Sequence, residues 1–431
     1  QLLETSNGGV TWNIPAGELP EGLSDVFDAR SVTHREDLVV AAGIPASMVL
    51  RSTDSGATWE VATVPATGHI HRIRSSADSQ LFAVGSFGQI LRSLDEGATW
   101  ECVRSGGMHS GLLAFASDAS AAPLQMLASV TADTGIRSSV VQISQVLDLS
   151  SPDAASLVPF AHADLGLASL SVDGLEGDWA FPRTIKGQEV SPKQLIAEWN
   201  RQTDGRLREL LPLRIARMLC TWRPVVVVVE KSSDGDAVAS LVTDALTAAE
   251  ELAANPKGTA LETAGLKAWT ISRVAARAPG TQRTSISFDD SDLLKTLGTT
   301  SGLLCDSVEA VMRTGESFSV SVRPRAGYVV LRDTGDNVAV EHLLDGLESE
   351  LTSDVRRPVT VRNREQLQEM QRVVQTAKAE ASALDGHQKL QKSEEAFVAE
   401  LETIGAQLPP ALALRQLTEL AALRSEERRV G

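Results

Sequence analysis

The stretch Trp222-Arg223-Pro224-Val225-Val226-Val227-Val228-Val229-Glu230 decides the fold. Five valines fall well short of the ~20 apolar residues that a membrane-crossing helix needs. β-Branched side chains favour extended backbone, and a run that does not alternate with polar residues belongs to a strand buried on both faces. Before it, Leu211, Ile215, Met218, Leu219 and Trp222 recur at helical spacing and share one face. After it, a second helix is expected over residues 237–254. Helix, buried strand, helix is the core of an α/β unit.

The same alternation extends in both directions. On the N-terminal side, strands are expected at 112–116, 136–143 and 167–172, and helices at 123–132 and 153–164. A loop rich in Gly, Asp and Pro runs over 173–192, and Ser191-Pro192 opens another helix carrying Leu195, Ile196 and Trp199. On the C-terminal side, strands are expected at 269–274, 285–288, 317–322 and 327–331, and a helix at 290–312. Strands alternating with helices predict a Rossmann-like, doubly wound, mostly parallel sheet over residues 108–335.

The N-terminal part has a different texture. Thr5-Ser6-Asn7-Gly8-Gly9-Val10-Thr11-Trp12, Ser52-Thr53-Asp54-Ser55-Gly56-Ala57-Thr58-Trp59 and Ser93-Leu94-Asp95-Glu96-Gly97-Ala98-Thr99-Trp100 are three copies of one phrase. Their tryptophans are 47 and 41 residues apart, a spacing that suits propeller blades. Each phrase reads as a hairpin turn. Asp54 and Asp95 accept backbone N–H bonds across it, Gly56 and Gly97 supply a positive φ, and Trp59 and Trp100 cover it. Strands are expected at 38–42, 48–52, 81–85 and 89–93. His69 and His71 alternate around Ile70; a pair of imidazoles on one strand face can bind a metal, but no third ligand stands near them in sequence, and exposed strand positions are the simpler expectation.

The phrase resembles the Asp-box, or BNR, repeat of sialidases and related propellers, and the resemblance covers residues 1–104. The second and third copies match fully; the first has Thr5 for Ser and Asn7 for Asp. The box is structural in that family. Sialidases use a tyrosine nucleophile, and the single tyrosine, Tyr328, lies outside the repeats, so that activity is not expected. A propeller needs about four blades or more and this stretch holds about two and a half, so the others are expected upstream or on another chain. The chain starts with Gln1 inside a repeat and reads as a piece of something longer. The propeller leans the expectation toward an extracytoplasmic protein.

Charge and cysteines narrow the function classes. With 56 acidic against 40 basic residues the net charge is −16, which opposes the basic face that nucleic acids demand. Cys102, Cys220 and Cys305 are far apart, with no CxxC pair, so neither a zinc knuckle nor a disulfide framework is indicated. No apolar run is long enough to span a membrane. Past Arg356-Arg357-Pro358 the composition turns charged. Leu367, Met370, Val374, Ala377, Ala381 and Leu384 mark a short heptad seam, so residues 360–431 are expected to form a helical hairpin or an interaction arm.

In doubly wound sheets ligands bind beyond the carboxyl ends of the strands. The pocket candidates by that rule are Ser117 and Asp118 after the first strand, and Glu230, Asp234 and Asp236 after the valine strand. The acids can converge there; equally, Asp234 and Asp236 can cap the following helix. No Gly-rich phosphate motif occurs at either turn.

The layout of residues 217–253 and 266–275 is similar to the second half of the PIG-L/LmbE family of N-acetylglucosaminyl deacetylases. There, a helix ending in Arg-Pro leads into a valine-rich strand, then a long helix and a tryptophan-bearing strand. The resemblance implies a hydrolase acting on an N-acetylated sugar amide, with carbohydrate or glycoconjugate as ligand. The family's Ala-His-Pro-Asp-Asp-Glu motif falls where this chain has Ala116-Ser117-Asp118-Ala119-Ser120, and its His-x-x-His-type motif where this chain has Asp236-Ala237-Val238-Ala239-Ser240. The zinc-binding histidines are absent at both, and only Asp118 matches a catalytic acid. No metal site or cofactor is predicted, zinc entering only if that site functions. The expectation is a degenerate deacetylase-like site; the alternative is a non-catalytic binding or scaffold protein that meets partners through the propeller or the helical tail.

Overall fold

The computed structural model describes residues 5, 7–13, 17, 19–76, 78–105, 109–117, 119–143, 145–146, 157–177, 181–183, 192–230, 237–278, 284–312, 323–334 and 340–357. The strand expected at 317–322 and the tail expected at 360–431 lie outside these residues.

Two four-stranded antiparallel meanders come first. One is β1 (Asp28–Arg35), β2 (Leu38–Ile44), β3 (Met48–Ser52) and β4 (Glu60–Thr63); the other is β5 (Ile70–Ser75), β6 (Leu81–Gly85), β7 (Ile90–Ser93) and β8 (Glu101–Arg104). Alternation sets their faces: in β6, Leu81 and Ala83 point inward while Phe82 and Val84 face out. In β5 the register slips between Ile70 and Arg72, so the inward pair is Ile70 and Ile73, three positions apart. Val40, Ala42 and Val49 of the first sheet share a core with Ile73, Leu81 and Leu91 of the second. The Ile73 N–H donates to Ser31 Oγ at 3.1 Å, which sets β5 beside β1.

The α/β part is built on strands β9 (Leu112–Ala116), β10 (Ser138–Gln142), β12 (Leu175–Gly177), β14 (Val226–Val229), β15 (Arg273–Arg277), β16 (Ile286–Phe288) and β19 (Ala326–Asp333). They form one mixed sheet in the order β12-β10-β9-β14-β15-β19-β16, with β19 antiparallel to both neighbours. Two small ribbons flank it, β11 (Gln145–Val146) with β13 (Pro182–Arg183) and β17 (Leu293–Leu294) with β18 (Thr299–Thr300). The helices among the described residues are α1 (Leu124–Leu127), α2 (Leu157–Ser169), α3 (Pro192–Gln202), α4 (Leu207–Trp222), α5 (Ala237–Ala254), α6 (Ala260–Thr263) and α7 (Ser301–Met312).

The valine strand is interior. β14 pairs in parallel with β9 on one side and β15 on the other. Val227 and Val229 enter a core with α4 and α5, while Val226 and Val228 enter the opposite core with α2 and α7. A continuous apolar run is what a strand covered on both faces requires. The first of these cores also takes in Leu23, Met48, Leu50 and Phe87, so the N-terminal sheets and the α/β sheet share apolar packing. Buried backbone groups tie the same boundary: the Gly68 N–H donates to Thr221 O at 3.1 Å, and Ser47 Oγ donates to Ala264 O at 2.9 Å. Among the described residues no helix is long and apolar enough to cross a membrane.

Several local expectations are corrected. Residues 167–172 are not a strand: α2 continues to Ser169, because Ala163, Leu167 and Leu170 recur at helical spacing and are buried. The true edge strand is β12, inside the expected loop. The strand expected at 269–274 begins only at Arg273, because the Trp269 N–H is bonded to Ala253 O and its indole to Pro224 O, outside the ladder. Residues 290–300 are not helical. Asp289 caps the backbone N–H of Ser291, Asp292 that of Asp289, and Gly298 takes φ +67°, closing the β17–β18 hairpin before α7 starts. Short polar side chains that bond nearby backbone outcompete the helix there. The helix expected at 123–132 widens into a π-turn over Ala128–Asp133.

Candidate functional site

The parallel register sets Val229 opposite Phe115, so the carboxyl ends of β9 and β14 meet and Ser117 stands beside Glu230. The Ser117 N–H donates to Glu230 Oε2 at 3.2 Å. Phe115, Ala116 and, from α5, Val238, Ala239 and Val242 enclose the remaining space, about 10 Å³. That volume holds about one water. Asp118, Asp234 and Asp236 lie outside the described residues. The structure therefore brings together two of the five pocket candidates.

Zinc fits these residues poorly. A catalytic zinc takes three protein ligands, commonly with imidazoles among them, and the described lining offers one carboxylate and one hydroxyl. Among the described residues no histidine lines the space. The His109 ring lies 5.1 Å from that of Trp269 before β9 begins, and His162 Nδ1 on α2 is 3.0 Å from Val311 O on α7. Among the described residues no group of three His, Cys, Asp or Glu could hold a metal ion.

The three repeated turns carry one set of bonds. In the second, Ser52 Oγ donates to Asp54 Oδ1 at 2.8 Å and accepts the Gly56 N–H at 2.8 Å, and Asp54 accepts the Thr58 N–H at 2.8 Å and its hydroxyl at 2.7 Å. Ser93, Asp95, Gly97 and Thr99 repeat it bond for bond. In the first copy Thr5 accepts the Gly9 N–H and Asn7 Oδ1 that of Thr11. The glycines have φ +90°, +93° and +88° in order. These bonds from Thr58 and Thr99 hold the carboxyls of Asp54 and Asp95 below their ordinary range. Both carboxylate oxygens of Asp54 and of Asp95 are engaged within the turn, which is a structural arrangement. The indoles differ: Trp59 lies against Gly56, whereas Trp100 is buried and donates to Gly97 O at 3.0 Å.

A second constellation escaped sequence reasoning. Glu176 of β12 is fully buried and accepts three bonds: from Arg217 Nη2 on α4, from the Trp222 indole N–H at 2.8 Å, and at 3.2 Å from His69 Nε2. His69 is thus no exposed strand residue: it is buried, with its ring 4.4 Å from that of Trp222. Burial pulls Glu176 toward the neutral acid, but the Arg217 charge and the bonds from His69 and Trp222 outweigh it and hold the carboxyl at about 2. Burial holds the His69 imidazole below its usual range, against the pull of Glu176. A neutral ring facing a carboxylate through Nε2 carries its proton on that nitrogen. No sequence signal joins Glu176, within a Gly- and Asp-rich loop, to an imidazole 107 residues earlier.

No family model matches the chain, and no curated protein matches it. Among solved structures it is similar to the conserved protein TT1542 from Thermus thermophilus, at 16% identity over 47% of this chain and 77% of that one, with a TM-score of 0.30. It is similar to GalB, the 4-carboxy-2-hydroxymuconate hydratase from Pseudomonas putida KT2440, at 13% identity over 54% of this chain and 100% of that one, TM-score 0.31. YCF48 bound to D1 peptide matches at 23% identity over 25% of this chain and 36% of that one, TM-score 0.20. At these scores none of them bears on what this chain does.

Proposed function

We propose that this chain is a carbohydrate-directed, deacetylase-like protein that binds its ligand without turning it over. In this reading residues 1–104 are blades of an Asp-box propeller, residues 108–335 a PIG-L/LmbE-like unit, and residues 360–431 a helical appendage. The observation that carries it is the Ser117–Glu230 contact: the strand ends where the resemblance puts a metal-assisted hydrolase site are bridged by the Ser117 N–H donating to the Glu230 carboxylate, with no imidazole among the described lining residues. Amide hydrolysis by the family's route needs a metal to polarise the carbonyl and a carboxylate base beside the attacking water.

The test is acetate release from an N-acetylglucosaminide in the presence of zinc. The expected result is no release above background. Turnover that a chelator abolishes and Asp118→Ala removes would overturn the proposal and make Asp118 the base of a working enzyme.

The scaffold reading has an observation of its own. Phe82 and Val84 of β6 are exposed on the second sheet beside Arg72 and Arg74 of β5 and Arg92 of β7, a mixed apolar and basic face suited to a protein partner. Retention of a partner by wild type and its loss with Phe82→Ser would favour that reading.

A further inference from the structure

Where the chain leads into β14 and β15, at the opposite strand ends from Ser117 and Glu230, the N-terminal sheets and the α/β unit leave a cleft of about 430 Å³ between them. That is the size of a small-molecule site. Among the described residues its lining includes Arg223 and Lys267 but no Asp or Glu, in a chain whose net charge is −16.

Arg223 is placed at some cost. It caps the C-terminus of α4 in the left-handed conformation, φ 51° and ψ 56°, where glycine sits without strain. Its N–H donates to Leu219 O at 2.8 Å, so the cap is closed by backbone alone. A cation near a helix C-terminus is favourable by itself, yet an arginine one turn earlier would supply it without a left-handed backbone. The guanidinium stacks over Trp269 at 5.2 Å. Among the described residues its side chain has no ion pair and no hydrogen bond. Beside it, Thr221 is 1% exposed and its hydroxyl has no hydrogen-bond partner among the described residues. A buried donor left unmade is a deficit that a ligand oxygen removes.

We propose that this cleft binds a small organic carboxylate with an apolar body. The Arg223 guanidinium takes the carboxylate, the Thr221 hydroxyl donates to it, Lys267 adds charge at the exposed rim, and Val64, Trp100 and Leu266 cover the apolar part. A planar guanidinium fork suits a carboxylate. The negative end of α4 disfavours a dianion such as phosphate more than a monoanion. The Cys220 thiol in the same lining is pushed up to about 12 by burial, so it stays neutral and does not compete. This site is independent of any deacetylase-like chemistry.

The experiment is calorimetric titration of the full chain with 4-methylpentanoate and 3-phenylpropanoate, against 3-phenylpropanamide and inorganic phosphate. At least one carboxylate is expected to bind saturably at one site, with the amide and phosphate weaker by about tenfold or more. Arg223→Gly removes the charge while relieving the left-handed strain. It is expected to hold or raise the melting temperature and to weaken carboxylate binding about tenfold, and Thr221→Val to weaken it severalfold. Absence of saturable carboxylate binding, equal affinity for acid and amide, preference for phosphate, or unchanged affinity in Arg223→Gly would each overturn the proposal. The acid-against-amide comparison stands on the wild-type protein and needs no variant to fold.

Discussion

His69 Nε2 stands 3.2 Å from Glu176 Oε2, joining the loop that leads into β5 to the edge strand β12 of the α/β sheet. The contact lies in the interior, with Arg217 on the far oxygen of the same carboxylate. One buried ionised group therefore fastens the second N-terminal sheet, α4 and the seven-stranded sheet together.

Removing one member of that cluster should be costly. Arg217→Met strands the Glu176 charge in the interior, and the expected loss is about 3–5 kcal/mol. Glu176→Gln combined with Arg217→Met removes both charges while keeping an acceptor for Trp222, and should recover most of it. Urea unfolding free energies of the three proteins check this; equal stability of the single and double variants would show that the charge is not the issue.

Acid should weaken the fold in two steps. The His69 imidazole is depressed by burial, so below its ordinary pKa of about 6.5 the unfolded chain takes up a proton that the native chain refuses, and stability falls with pH. Glu176 is held at about 2, so its contribution is complete above an unfolded value of about 4.5 and fades as pH drops below that. His109, also depressed by burial, adds to the upper step. His69→Gln should shrink the loss between about pH 6.5 and 5 and leave the loss below pH 4.5 in place, as read from urea midpoints against pH.

Val227 tests the interior strand. Val227→Asp buries a carboxylate among α4 and α5 with no partner, at a cost of several kcal/mol or forced protonation. Insoluble or non-cooperatively unfolding protein is expected. A soluble variant with a sharp thermal transition would mean that β14 has an accessible face.

Gly97 and Gly88 separate backbone strain from packing. Both have positive φ, +88° and +65°. A Cβ at Gly97 would meet Leu81 at 3.2 Å and Val40 at 3.5 Å, while at Gly88 nothing stands within 4 Å. Gly88→Ala should cost about 1 kcal/mol from conformation alone, and Gly97→Ala more, because the core between the two N-terminal sheets has to give. Melting temperatures of the two variants decide it.

The sequence by itself determined whatever depends on near neighbours. The unbroken valines dictated a strand covered on both faces, and Val226 and Val228 against Val227 and Val229 do enter opposite cores. The Ser-x-Asp-x-Gly-x-Thr-Trp spacing dictated turns whose bonds span two and four residues. Even locally it faltered where two patterns compete: Leu167 and Leu170 suit a short strand as well as a helix, and only packing against the sheet chose the helix.

Tertiary structure alone decided the rest. That His69 is a buried partner of Glu176, that Arg217 and Trp222 close the same carboxylate, and that Arg223 and Thr221 line a cleft with Lys267 depend on chain segments brought together from 41 or more residues apart. Side-chain pattern encodes which face of an element is apolar, because burial acts on each residue separately. Which buried polar groups meet depends on how finished elements dock, and that geometry appears in no local spacing.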